Sequence, residues 1–394
     1  MDLNEMKSMF YDVFGEGGEL RYFESPGRVN LIGEHVDYCG GPVLPAALTM
    51  KTTIIARKRE DNLLRLKATD LDIFVEAPLD KLADFKGKLK WGDYQLGVAQ
   101  ELIDAGYDLC GADMLFDDTV PHGGGLSSSA AIEVSTALCL STFANEMAGI
   151  DNNPDMIKLA LISQKAEHNY IGVNCGIMDQ FASAMGKKNH AIFLNCSTLD
   201  YEHVPLNLGD CKIVLTNTNV KHSLGSSKYN ERRGECEEGL AALKTVLPDV
   251  NQLVDVSVED FNKNYNVIEN EVVRRRIKHV VSECERVKRS VVAMKSNDLV
   301  SFGQLMNASH DSLKDDYEVT CPELDFLSAE TRKIEGVLGS RMTGAGFGGC
   351  TVSIIKNSAV DEYINKVGKL YKEKFGIDAS FYISDVGDGG REVK

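Results

Sequence analysis

The sequence predicts an α/β chain of two domains. With 394 residues it is longer than one hydrophobic core usually serves. In the first half, short strand-like stretches alternate with amphipathic helical ones. The last part reads strand–helix–strand over 349–355, 358–374 and 379–384, which adds α+β character. The division is placed near residue 205, in the polar stretch 201–210, giving units 1–205 and 206–394.

Composition narrows the function classes. Apolar content of 43% and charged content of 26% are those of an ordinary globular protein. A net charge of −16 argues against nucleic acid or an anionic membrane as partner. The first residues carry acids and no long apolar run, so no signal peptide is expected. No apolar run approaches the ~20 residues of a membrane span. Ten cysteines without a C-x-x-C pair read as reduced thiols, and no His/Cys cluster has zinc-ligand spacing. A cytoplasmic protein is expected.

The most informative stretch is Pro121-His122-Gly123-Gly124-Gly125-Leu126-Ser127-Ser128-Ser129-Ala130-Ala131. The glycines let backbone approach a ligand closely. Ala131, Val134, Ala137, Leu138, Ser141 and Thr142 recur at helical spacing, so the serines stand at a helix start. Free N–H groups and the positive end of the dipole make such a junction a phosphate seat. Serine hydroxyls add donors, or a ligand for a hard cation such as Mg²⁺. The plainer alternative is a glycine-rich turn with a serine N-cap. No G-x-x-x-x-G-K-[ST] occurs. Gly344, Gly346 and Gly349 match G-x-G-x-x-G, but a strand-like run follows where a dinucleotide fingerprint requires a helix.

Earlier, Arg28-Val29-Asn30-Leu31-Ile32-Gly33-Glu34-His35-Val36-Asp37 reads as a short strand, 29–32, that breaks at Gly33. It delivers two carboxylates and an imidazole into a glycine-closed turn, a set suited to several hydroxyls, as on a sugar. An ordinary acidic turn is the alternative. Strands are expected over 52–57, 63–68, 113–116, 190–195 and 211–217, and helices over 95–105 and 154–171. Trp91, the one tryptophan, precedes the first of these helices; it is either a helix-start core aromatic or a flat ring for a base. Glu167 and His168 lie on the second. Asp179 falls in the first turn of the next helix, where the dipole favours its charge. A further helix opens at 226–233, and charged helices run to about residue 335 with solvated faces.

Together these motifs resemble the galactokinases among the GHMP small-molecule kinases. Segment 26–45 is similar to the galactokinase signature, 121–131 to the second family motif and 341–352 to the third. The likeness continues through Cys175-Gly176-Ile177-Met178-Asp179-Gln180, Lys221-His222-Ser223-Leu224, Ser309-His310 and Pro322-Glu323-Leu324-Asp325. It implies a two-lobed fold with the site in the cleft, and ATP-dependent phosphorylation of the anomeric hydroxyl of galactose. By position, Asp179 would be the base and Arg28 would neutralise developing charge. Glu34, His35, Val36, Asp37, Gly176 and Tyr229 would surround the sugar. Gly123, Gly124, Gly125, Leu126, Ser127, Ser128 and Ser129 would wrap the triphosphate, Trp91 would line the adenine pocket, and Ser129 with Glu167 would hold Mg²⁺. A monomer is the family-level expectation. Val36 stands where the family usually has Thr and Cys39 where it has Asn, which keeps an N-acetylgalactosamine or arabinose kinase open. A non-catalytic galactose- and ATP-binding transcriptional regulator is the reading of another class; such proteins lack part of the serine-alanine segment, which is complete here.

Overall fold

The β-branched run Thr52-Thr53-Ile54-Ile55 favours extended backbone, and it forms the middle of the strand Pro45–Lys58. The computed structural model of the chain describes residues 1–121, 124–150, 153–221 and 225–393. In chain order the strands are β1 (Arg21–Asn30), β2 (Pro42–Val43), β3 (Pro45–Lys58), β4 (Leu63–Ala68), β5 (Phe74–Pro78), β6 (Ala112–Asp118), β7 (His190–Asn195), β8 (Tyr201–Pro205), β9 (Cys211–Lys221), β10 (Val337–Thr343), β11 (Gly348–Lys356), β12 (Ser380–Ser384) and β13 (Arg391–Val393). The first sheet runs β13-β1-β3-β6-β4-β5, the second β10-β11-β9-β12, and a small third one β2-β7-β8. Pairing is antiparallel except between β4 and β6.

Helix Ser128–Met147 lies on the first sheet and is buried almost all round, from Ala130 to Ala144. Its hydroxyls do not strand polar atoms: Ser135 and Thr136 each donate to a carbonyl one turn back, both at 2.7 Å. The second half of the chain places helices Glu271–Lys295 and Leu299–Ser312 between the sheets. One apolar cluster joins Val29 and Leu31 from the first half to Ile213, Val291 and Val352 from the second. The last strand also crosses back, with Tyr22 opposite Val393. A division into 1–205 and 206–394 therefore leaves out both of these crossings.

Several elements differ from their expected bounds, among them β3 (52–57 expected), β6 (113–116) and β9 (211–217), which are longer, and three more that bear on the site. The strand expected at 29–32 begins at Arg21, because Pro26-Gly27 makes a bulge rather than a break. The helix expected at 95–105 begins at Trp91, after Lys90 takes a left-handed φ of +53°. The helix expected at 154–171 is α-helical over Met156–Ala166 and then widens into a π-turn, Glu167–Ile171. The G-x-G-x-x-G segment does lead into strand β11, as expected.

Candidate active site

The pairing of β1 with β3 slips between Pro26 and Arg28. Bulges of this kind re-aim side chains beside sites. Gly27 permits it: a Cβ there would stand 2.6 Å from the Leu126 carbonyl oxygen. The Arg28 N–H donates to that same carbonyl at 3.1 Å, so strand and glycine-rich loop are pinned together. The buried Arg28 side chain then reaches helix Met178–Met185. Its Nε and Nη2 donate to the two oxygens of Asp179 at 2.8 and 2.7 Å, and its Nη1 to the Gly125 carbonyl at 2.7 Å. The Ser127 hydroxyl also donates to Asp179 Oδ2. Asp179 lies in the helix's first turn, as expected.

Beyond Asn30 the chain turns through two left-handed residues, Gly33 at φ +103° and His35 at φ +61°. A histidine held there is strained and needs neighbours that fix it. They are present. Glu283, buried in helix Glu271–Lys295, accepts the Gly33 N–H at 3.0 Å and the Ser309 hydroxyl at 2.6 Å. Glu34 Oε1 accepts from the Thr343 hydroxyl at 3.1 Å and from the Gly344 N–H, while Asn30 donates to Oε2. Arg341 Nη1 lies 3.6 Å from Glu34. Burial nevertheless leaves the Glu34 carboxyl above its ordinary value, against the pull of Arg341, Gly344, Arg28 and Asn30.

Burial drives His35 down to about 3, so the ring is neutral at physiological pH. Its Nε2 faces the Ala345 carbonyl at 3.1 Å and must carry the proton, which leaves Nδ1 to accept from the Tyr38 hydroxyl at 3.0 Å. Asp37 is pushed up to about 6, first by burial and then by the charges of Asp179 and Glu34. Glu34, His35, Asp37, Gly176 and Tyr229 line one cavity of about 430 Å³ together with Arg28 and Asp179. Val36 does not line it. That side chain is fully buried in the apolar core, and its carbonyl closes the turn by accepting from Cys39 and Gly41. The third motif supplies two more lining residues, Gly344, read in the sequence only as part of a G-x-G-x-x-G pattern, and Ala345. Their signal was the cluster of glycines, which bends the β10–β11 loop over the cavity.

Gly123 lies outside the described residues, while Gly124 to Ser129 lie within them. Ser127, at the N-cap, has a left-handed backbone (φ +60°, ψ 48°) and makes no side-chain cap. The plain serine cap is thereby replaced: the hydroxyl serves Asp179, and among the described residues no side chain caps the first N–H groups of helix Ser128–Met147. Leu126 is buried with its side chain in the core and contributes backbone only. Ser128 and Ser129 line a second cavity, of about 440 Å³, with Trp91, Tyr94 and Ile132. Trp91 is half-buried, edge-on to Phe116 with ring centroids 5.4 Å apart, so its core and cavity roles coexist.

Glu167 is buried in the π-turn, beside an acid that pattern reading missed. Glu133, fully buried one turn beyond Ser129, faces it and accepts from Gln180 at 3.0 Å. Burial and then the Glu167 charge raise the Glu133 carboxyl well above its ordinary value. An acid within the buried, mostly apolar run from Ala130 to Ala144 was the available signal.

The galactokinase galactose-binding signature matches residues 8–58, the GHMP kinase N-terminal domain 93–187 and the GHMP kinase C-terminal domain 290–373. A galactokinase of Bacillus subtilis is 47% identical over 393 residues, covering 99% of each chain. The chain belongs to the galactokinases. A galactokinase of Clostridium perfringens is 46% identical over the whole of both chains. The crystal structure of Lactococcus lactis galactokinase complexed with galactose superposes with a TM-score of 0.92 at 42% identity, covering 99% of this chain and 100% of that one. Mevalonate kinase of Methanococcus jannaschii, 17% identical with a TM-score of 0.66, shares the fold. The galactokinase-family chain is thus an enzyme of the GHMP fold that transfers phosphate to a sugar hydroxyl, with ATP as co-substrate. Among the described residues no helix is long and apolar enough to cross a membrane.

Proposed function

We propose that the chain phosphorylates the anomeric hydroxyl of galactose, yielding galactose 1-phosphate and ADP. The observation that carries this reading is the meeting at Asp179: Arg28 from the sugar side and Ser127 from the helix start both bind one carboxylate. A sugar in the first cavity and a nucleotide on the first helix N–H groups would therefore share a boundary. Among the described residues Asp179 Oδ1 accepts only from Arg28, which leaves a lone pair for the sugar hydroxyl.

Phosphoryl transfer of this type depends on positioning and charge neutralisation, through a loose transition state. The carboxylate, held by two guanidinium hydrogen bonds, orients the hydroxyl first and takes its proton after the P–O bond has lengthened. A large solvent isotope effect on a chemistry-limited step would contradict that order. Arg28, locked by three hydrogen bonds, stabilises the charge that develops beside it. Glu34, His35, Asp37, the Gly176 backbone and Tyr229 read the hydroxyls. Gly124 to Ser129 wrap the triphosphate, and Trp91 lines the adenine side.

The facing acids Glu133 and Glu167 fit a divalent cation. Among the described residues no donor reaches the buried Glu133 Oε1 when both acids are ionised, and two facing carboxylates repel unless a proton or a cation intervenes. Ser129 and Glu167 would hold Mg²⁺ with Glu133 behind them, phosphate oxygens completing the shell as is usual for this ion. When bound, the ion would neutralise phosphate charge. The protein would act in the cytoplasm, as a monomer, with neither nucleic acid nor membrane as partner.

The test is ADP release with galactose, its 2-deoxy and 2-acetamido analogues, and arabinose. The highest kcat/KM is expected for galactose; a higher one for the acetamido sugar or arabinose would change the substrate, and none with any sugar would remove the proposal.

A further inference from the structure

Cys39, one of the two departures from the family pattern, ends the short 3₁₀ turn Asp37–Cys39 and hydrogen-bonds the Cys236 thiol of helix Gly225–Lys244. Both residues line a separate cavity of about 380 Å³ with Cys196, Arg233, Glu237 and Gln252. The pair is buried but reached from this side.

Cys236 is also the end of a chain that leads to the sugar. His35 Nδ1 is an acceptor, so the Tyr38 hydroxyl donates to it and its oxygen accepts from the Tyr317 hydroxyl at 2.6 Å. Tyr317 must then accept in turn, and the Cys236 S–H stands 3.2 Å away as its donor. The direction of every proton follows from the Ala345 carbonyl, which can only accept. The turn and the helix joined by the thiols carry Asp37 and Tyr229, which face the first cavity.

We infer that Cys39 and Cys236 form a reversible thiol–disulfide site whose oxidation weakens sugar binding. The oxidant class is a small-molecule disulfide. The Cys236 thiolate attacks one of its sulfurs, forming a mixed disulfide and releasing one small thiolate. The Cys39 thiolate then attacks the Cys236 sulfur and releases the second. Overall two protein thiols become one disulfide, and the small disulfide becomes two thiols. A hydrogen bond from the Cys39 S–H holds the Cys236 thiol below its ordinary value although burial opposes it, which makes Cys236 the first nucleophile, while Cys39 is raised well above its own value; Arg233 lines the same cavity. Once linked, Cys236 has no S–H to give Tyr317, and the turn bearing Asp37 is drawn toward the helix.

The effect on KM rests on the galactose reading above, but formation of the link does not. The full-length protein is incubated with excess glutathione disulfide, then mapped by peptide mass spectrometry and assayed with galactose. A Cys39–Cys236 link is expected, with KM for galactose raised about fivefold or more and restored by dithiothreitol. Cys39→Ser should abolish both the link and the rise, while keeping near-normal KM when reduced. A link to Cys196 or Cys284 instead, no link at all, or a mapped link with unchanged KM would each overturn the inference. Absence of turnover in the reduced protein would instead refute the galactose assignment, with the mapping still readable.

Discussion

Arg28 and Asp179, 151 positions apart, meet fork to fork, with both nitrogen–oxygen distances under 3 Å: 2.8 and 2.7 Å. The guanidinium is nearly buried while the carboxylate keeps 30% of its side chain open. The arrangement fixes the acid and still leaves it facing the cavity. Asp179→Asn keeps the shape and removes the proton acceptor. Its kcat is expected to fall about 10³-fold or more with the melting temperature nearly unchanged. Turnover close to that of the parent would remove Asp179 from its assigned role.

Gly176 is set against Asp37 so closely that a Cβ would lie 2.1 Å from Oδ2. Gly176→Ala must push that carboxylate out of place. We expect KM for galactose to rise about tenfold or more, the cost of losing a hydrogen bond to a charged group, with KM for ATP unaffected. Equal rises in both constants would point to a general collapse of the site.

Burial, with the charges of Asp179 and Glu34, pushes the Asp37 carboxyl up to about 6. Below that value it is protonated and ceases to be an anionic acceptor for a sugar hydroxyl. If galactose binds the ionised form, KM rises toward tenfold per pH unit as pH falls below about 6, and Asp37→Asn flattens the profile. The stability effect has the opposite sense. A raised carboxyl binds more protons folded than unfolded, so its contribution improves as pH falls from 6 toward the ordinary value of 3.8. Steady-state kinetics from pH 5 to about 8 read the first effect directly.

Glu283 shows the contrary shift. Burial raises it, but Arg286, His279, Arg341 and the Ser309 hydroxyl outweigh burial and hold it at about 2. It contributes stability above 4.5 that is lost as pH falls toward 2. Glu283→Gln leaves Arg286 unpaired and sets an amide donor where only acceptors fit. A loss of about 3 kcal/mol is expected in urea unfolding at neutral pH. A variant as stable as the parent would show that the Gly33 turn needs no such anchor.

Trp91 is the single tryptophan, so its emission reports on one place. MgATP should change that emission and galactose should not. Trp91→Ala should raise KM for ATP about tenfold, within the range of base stacking on an aromatic ring. An emission change with galactose alone would move the ring to the other cavity.

What the sequence revealed follows a physical line. Asp179 was legible because a helix start can be read from local spacing, and local dipoles then say what the charge does. The glycine-rich loop was legible because consecutive glycines ahead of a helical pattern are a local signal, and Gly125 does take a φ of +72°. Val36 misled because neighbours in sequence along a turn point in different directions, here one into the core and the next into the cavity. Glu133 was passed over because the helix around it has no polar face against which an acid would stand out. The Tyr38–Tyr317 contact spans 279 positions and has no local signature at all.

The strand that borders β1 on its outer side arrives late. Arg21 and its partner Glu392 are 371 positions apart, so during synthesis the six-stranded sheet stays one strand short until nearly all the other elements have left the ribosome. Until then the outer half of β1 offers an open edge to any passing peptide, and stalled or shortened chains would carry that exposed edge with them.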